Sequence, residues 1–158
     1  MKKWLISILG AVVAGVLVYW ITIGADSPLK VKRSEIYEPT DGASVSQKTA
    51  VKGWCSESDA KNDLWLVVQP VESPYYHPQP GPIPKDKDGQ WRGIAYVGTP
   101  DSKNIGEEYL IFVVATNPTV SKVFSDYLRD SNNKGKWTGL QTLPDGTTSI
   151  DSLRVIRK

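Results

Sequence analysis

One cysteine, Cys55, and one histidine, His77, are all that the 158 residues hold of the two side chains most used for metal ligation and nucleophilic chemistry. A lone cysteine excludes an intramolecular disulfide and a cysteine-based zinc site. The core must therefore hold by packing, and the length leaves room for one domain once any targeting segment is set aside. Charge of one sign is also lacking, because Lys and Arg number 19 against 17 for Asp and Glu. Nothing in that balance calls for nucleic acid or an acidic substrate, so no nucleic-acid partner is expected. A calcium loop is suggested by Asp86 and Asp88 in DKDG, but the position of its closing glutamate is Val97, and a turn feeding Trp91 is the better reading. No metal, no cofactor and no catalytic residue is expected.

Charge is missing altogether between Lys3 and Asp26, where WLISILGAVVAGVLVYWITIGA runs from Trp4 to Ala25. That is about the ~20 apolar residues a helix needs to cross a bilayer. Trp4 at one end and Tyr19 and Trp20 at the other stand where amphipathic rings prefer the headgroup layers. A retained anchor over residues 1–25 is the expectation, with a long signal peptide as the alternative, since Ile23, Gly24 and Ala25 match a cleavage site poorly. Lys2 and Lys3 favour a cytoplasmic N-terminus against the pull of Lys30, Lys32 and Arg33, which puts the remaining domain outside the cytoplasm.

Beyond the span, short apolar runs alternate with turn chemistry. Strands are predicted at 29–39, Thr49–Cys55, Leu64–Pro70, Trp91–Val97, Tyr109–Ala115 and Ser152–Ile156, with PTDGASV (39–45) as a turn. The run at 64–70 is apolar on both faces and reads as a central strand. One helix interrupts the series from Thr119, because Val120, Val123, Phe124, Tyr127 and Leu128 recur at helical spacing after Pro118, and RDSNNKGKW reads as the polar turn that ends it. No internal repeat is present.

PTDGASV, the VKG of 51–53, the DGQW of 88–91 and the GEEYLIFVVA of 106–115, taken in order, resemble the immunoglobulin-like or fibronectin-III-like sandwich domains of bacterial surface proteins. The likeness covers about residues 30 to 116 and the final strand. Tyr109, just after a glycine at the start of a strand, resembles the tyrosine corner of such sandwiches. The family pattern has a tight hairpin after Ala115, whereas this chain inserts a helical segment at about 118–144. The resemblance implies an all-β, immunoglobulin-like antiparallel sandwich over 26–158, with one inserted short helix and a transmembrane helix before it. It implies adhesion, spacing or binding, with no catalytic residues to carry over.

The proline stretch YYHPQPGPIP places prolines at every second position from Pro78 to Pro84 and contains no PxxP. Polyproline ligands repeat every third residue, so this spacing argues against a ligand for a peptide-binding domain. A return path along a sandwich edge fits better, as proline has no N–H to offer a further strand.

Candidate binding residues are Tyr75, Tyr76 and His77, whose rings would form a rim or a carbohydrate-binding platform, against the plainer reading of a solvated loop histidine beside edge aromatics. A Cys55–His77 dyad is disfavoured, since a strand cysteine is most often a small buried hydrophobe. Strand parity predicts that Leu66, Val68, Leu110 and Phe112 point between the sheets. It also predicts that the insertion caps the open end of the sandwich beside the membrane, with Lys134, Lys136 and Trp137 as lipid-surface contacts. The function expected is a non-catalytic, membrane-anchored binding or interaction module whose partner is a protein or a cell-surface polymer. The alternatives are a carbohydrate-binding surface domain, or an enzyme using a pocket beside the helix with Ser121 and Asp126.

Overall fold

Alternation of buried and exposed side chains fixes where each strand lies in a computed structural model that describes residues 33–158. The apolar run at 4–25, and the anchor it predicts, lie outside the described residues. In chain order come β1 (Glu35–Glu38), β2 (Ala43–Val45), β3 (Lys48–Trp54), β4 (Asp63–Pro70), β5 (His77–Pro78), β6 (Gln90–Tyr96), β7 (Glu108–Thr116), the helix α1 (Pro118–Lys134) and β8 (Thr147–Arg157). They form a three-stranded sheet, β1-β3-β6, and a five-stranded sheet, β2-β8-β7-β4-β5. All pairings are antiparallel except that of β2 with β8.

The two sheets share one core, with Val51, Trp91 and Ala95 from the first facing Leu64, Leu66, Val68, Ile111, Val113 and Val155 from the second. The far face of the five-stranded sheet carries Trp65, Val67 and Val114, which pack against Val120 and Phe124 of α1. Both faces of β4 are thus covered, which is why its sequence is apolar without alternation. The chain is mostly β, in two sheets, with the helix as a third layer.

Parity in β7 differs from the expectation. Tyr109, Ile111, Val113 and Ala115 face the inter-sheet core, while Phe112 packs in the helix-side cluster and Leu110 is only half-buried. Because the β7 run is apolar on both faces, its pattern alone does not say which set points inward. The tyrosine-corner likeness also changes in detail: the Tyr109 hydroxyl donates to Glu107 Oε2 at 2.8 Å, a side chain two residues upstream, in place of a backbone carbonyl. Burial, and then the Glu107 carboxylate, hold that phenol far above its usual pKa.

The segment read as a turn, 39–45, ends in strand β2. After the cis Glu38–Pro39 bond the chain leaves the three-stranded sheet and runs parallel to β8 in the other, with the Asp41 carboxylate accepting from Arg154 N at 2.7 Å. One edge of the sandwich is closed by this change of sheet. The proline stretch closes the other edge, as expected, but by a less direct path. His77 pairs with Val68, the Gln79 amide donates to Leu66 O and the Ile83 amide to Leu64 O. Between Gln79 and Ile83 the chain bulges, and Pro80 and Pro82, which have no N–H to satisfy, fall where β4 offers no acceptor. Gly81 sits in the bulge against the Trp65 ring, which a Cβ would approach to 2.8 Å. Buried Gln79 then ties this edge to the other sheet, its Oε1 accepting from Tyr96 N at 2.8 Å.

Helix α1 starts where the sequence indicates, with the Asn117 side chain accepting from Val120 N at 2.9 Å and Pro118 in the first turn. It continues past the polar residues read as its end and stops at Gly135, which takes the left-handed conformation at φ 61°. Its buried positions are Val120, Ser121, Phe124 and Ser131, and Val123, expected on the inner face, is exposed. The helix does not cap the open end of the sandwich. It lies across the five-stranded sheet, because the outward rings and branches of Trp65, Val67 and Val114 require cover.

Candidate functional site

The two ends of the domain have different surroundings. At one end, Ser34 Oγ donates to the Asp59 carboxylate, and Asp63, Thr116 and Thr147 stand side by side across β4, β7 and β8. The insertion begins at this end, where residue 33 enters the domain, as strand parity requires. Over its 17 residues, about 26 Å, α1 then carries the chain back along the sheet. Tyr127, about two and a half turns from the start of α1, is beside His77, and His77 is paired with Val68, about 17 Å along β4 from Asp63. Lys134, Lys136 and Trp137 follow from there, at the end remote from Ser34. Strand parity thus places Pro118 at the end where residue 33 enters, and the helix carries Lys134, Lys136 and Trp137 to the other end of the described domain.

What it brings together instead is an aromatic cluster built from two separate segments. The Tyr127 hydroxyl accepts from Gly139 N at 3.1 Å and lies 3.5 Å from His77 Nδ1. The Trp137 ring meets the Tyr127 ring edge-on, with centroids 6.4 Å apart and 75° between planes. Gly139, at φ 76°, passes so close to the β4–β5 connection that a Cβ there would come within 2.7 Å of Tyr75 Cβ and 2.9 Å of His77 Cε1. Tyr75 and Trp137 are 37% and 51% exposed, which leaves rings from both segments open to a ligand. Lys136 is exposed beside them, and Lys134 pairs with Asp130 at 3.7 Å.

Tyr76 does not join Tyr75 in a platform. Successive residues of an extended segment face opposite ways, and Tyr76 turns inward onto Phe112, with ring centroids 6.1 Å apart, while its backbone exchanges hydrogen bonds with Leu140. His77 is half-buried, and that burial depresses its pKa below the usual histidine value. Burial thus favours the uncharged ring, whose Nδ1 lies beside a Tyr127 hydroxyl that already accepts from Gly139 N.

The arrangement suits stacking and weakly polar recognition, and it holds no assembled nucleophile. Ser121 Oγ is buried and accepts from Trp65 Nε1 at 3.0 Å, while Asp126 is spent in exposed pairs with Lys122 and Arg129. Cys55 is buried in the inter-sheet core near the opposite end, and burial raises its thiol pKa. The Asp86 carboxylate accepts from the amides of Asp88 and Gln90, as a turn requires. Among the described residues no group of three His, Cys, Asp or Glu side chains is placed to hold a metal ion.

Sequence reasoning missed Tyr127 and Gly139 as parts of this cluster. Tyr127 was legible only as one more apolar position on a helix face, and Gly139 only as a turn residue. No family model matches the chain, and no curated protein matches it in sequence.

Proposed function

We propose that this protein is a membrane-anchored, extracytoplasmic, immunoglobulin-like module that binds a partner without catalysis, through the cluster of Tyr75, His77, Tyr127 and Trp137. The strand order supports the immunoglobulin-like part. In that reading β1, β3 and β6 correspond to strands A, B and E, and β4, β7 and β8 to C, F and G, with the proline segment on the edge beside C. The uncharged run from Trp4 to Ala25 supports the anchor, and Lys2 and Lys3 before it support the orientation. The observation that carries the binding role is the convergence of exposed rings from two segments at the end remote from Ser34. Within the described domain, Ser34 and this cluster lie at opposite ends. Exposed tryptophan and tyrosine over a rigid support are the side chains that most often dominate recognition surfaces.

Photo-crosslinking in cells that make the protein tests the binding role. A benzophenone side chain at position 137 gives a discrete adduct that Tyr75→Ser weakens, and the same group at Lys61 gives none. Equal adducts at both positions, or none at 137, would contradict the proposal.

A further inference from the structure

The open face of the three-stranded sheet carries a second, unrelated pattern. Its inward positions Val51, Gly53, Trp91 and Gly93 alternate with outward Ala50, Lys52, Arg92 and Ile94. Val97 N bonds to Gln47 O and Cys55 N to Gly89 O, so the odd-numbered residues of β3 and β6 are the hydrogen-bonded pairs. Lys52 and Arg92, directly opposite each other, are then a non-hydrogen-bonded pair, the kind in which side chains stand closest. Two like charges in that position destabilise a sheet. Glu38 relieves only Lys52, at 2.5 Å, and Arg92 makes no ion pair among the described residues. Lys48 adds a third cation two rows away, 6.0 Å above the ring of exposed Tyr96.

We infer that this face is a binding surface for an acidic polysaccharide, whose carboxylates pair with Arg92 and compete with Glu38 for Lys52 while its sugar rings lie on Ile94 and Tyr96. Arg92 offers a planar, bidentate partner to a carboxylate. An acidic peptide would gain most by adding a strand, and both edges of this sheet discourage that. β1 is bulged and its Ile36 amide is bonded to Asp151, while β6 has the Asp86 turn at one end and Gln79 at the other. A single-stranded nucleic acid would also stack on rings, but its dense phosphates call for more cations than three, here offset by Glu35 and Glu38 on the same sheet. The surface is separate from the aromatic cluster at α1 and does not depend on it.

The test uses the full-length protein in neutral detergent, titrated with polygalacturonate, dextran, polyglutamate and oligo(dT) at low and high salt. Binding to polygalacturonate is expected, lost in high salt and absent with dextran. Arg92→Gln should weaken it by about tenfold, as for loss of a charge-assisted hydrogen bond, and Lys52→Gln, whose charge Glu38 already meets, by less. Charge-matched Lys61→Gln and cluster variant Trp137→Ser should leave it unchanged. Arg92→Gln should also leave the melting temperature equal to or above that of the parent, because it removes a like-charge contact. Equal or tighter binding of polyglutamate or oligo(dT), no binding of polygalacturonate, loss of binding in Trp137→Ser, or a lower melting temperature in Arg92→Gln would each overturn the inference.

Discussion

Two buried side chains show how much of this fold depends on single positions. Phe124 is fully buried beneath α1, edge-on to Trp65 with ring centroids 5.4 Å apart. Phe124→Ala should lower unfolding free energy by about 3 to 5 kcal/mol in urea titration, and Phe112→Ala, at a half-buried site, by clearly less. Thr40→Ala and Ser44→Ala, both exposed, should have little effect. Ser121→Ala removes the buried acceptor of Trp65 Nε1 and should cost about 1 to 3 kcal/mol, whereas Ser125→Ala, whose hydroxyl only bonds back to Ser121 O, should cost less. His77 makes stability depend on pH. Its folded pKa lies below the ~6.5 of an unfolded histidine, so the unfolded chain takes up the proton first. The contribution is complete above that value and falls as pH drops toward the folded pKa, below which both states are charged. Urea midpoints measured from pH 7.5 to 5 should therefore decline more steeply in the parent than in His77→Gln; parallel curves would show that His77 is not desolvated.

Gln79 and Gly53 act on whole elements. Gln79 joins the proline edge to β6 by accepting from Tyr96 N and donating to His77 O, both at 2.8 Å. Gln79→Ala should cost about 2 kcal/mol by stranding those groups, and hydrogen exchange should speed up at Tyr96 before β3 is affected. At Gly53 a side chain would run into the Trp91 ring and Glu35 O, so Gly53→Ala should loosen β1 and lower the urea midpoint, by about 1 to 3 kcal/mol or more. Element positions were largely legible, since turn residues and alternation placed β3, β4, β6 and β7 within about a residue. The end of α1 was not, because its last turns are polar and are held by Arg129–Asp126 and Lys134–Asp130 pairs and by buried Ser131. The period-two prolines were legible as an edge, but not their bulge, which depends on Gly81 meeting Trp65.

At the scale of the molecule, the layers explain why the site was only half visible in the sequence. Each of Tyr75, His77 and Trp137 stood out by composition, yet nothing local says that they meet. Their meeting follows from α1 crossing the five-stranded sheet, and that follows from the outward faces of β4 and β7 being too apolar to leave in water. The function proposed above has the chain anchored through residues 4–25 and recognising a partner near Trp137. Intact-mass analysis of the protein recovered from carbonate-washed membranes tests this most directly. The account predicts an uncleaved chain that stays with the membrane until detergent is added. A soluble chain whose N-terminus lies near Asp26 would contradict it.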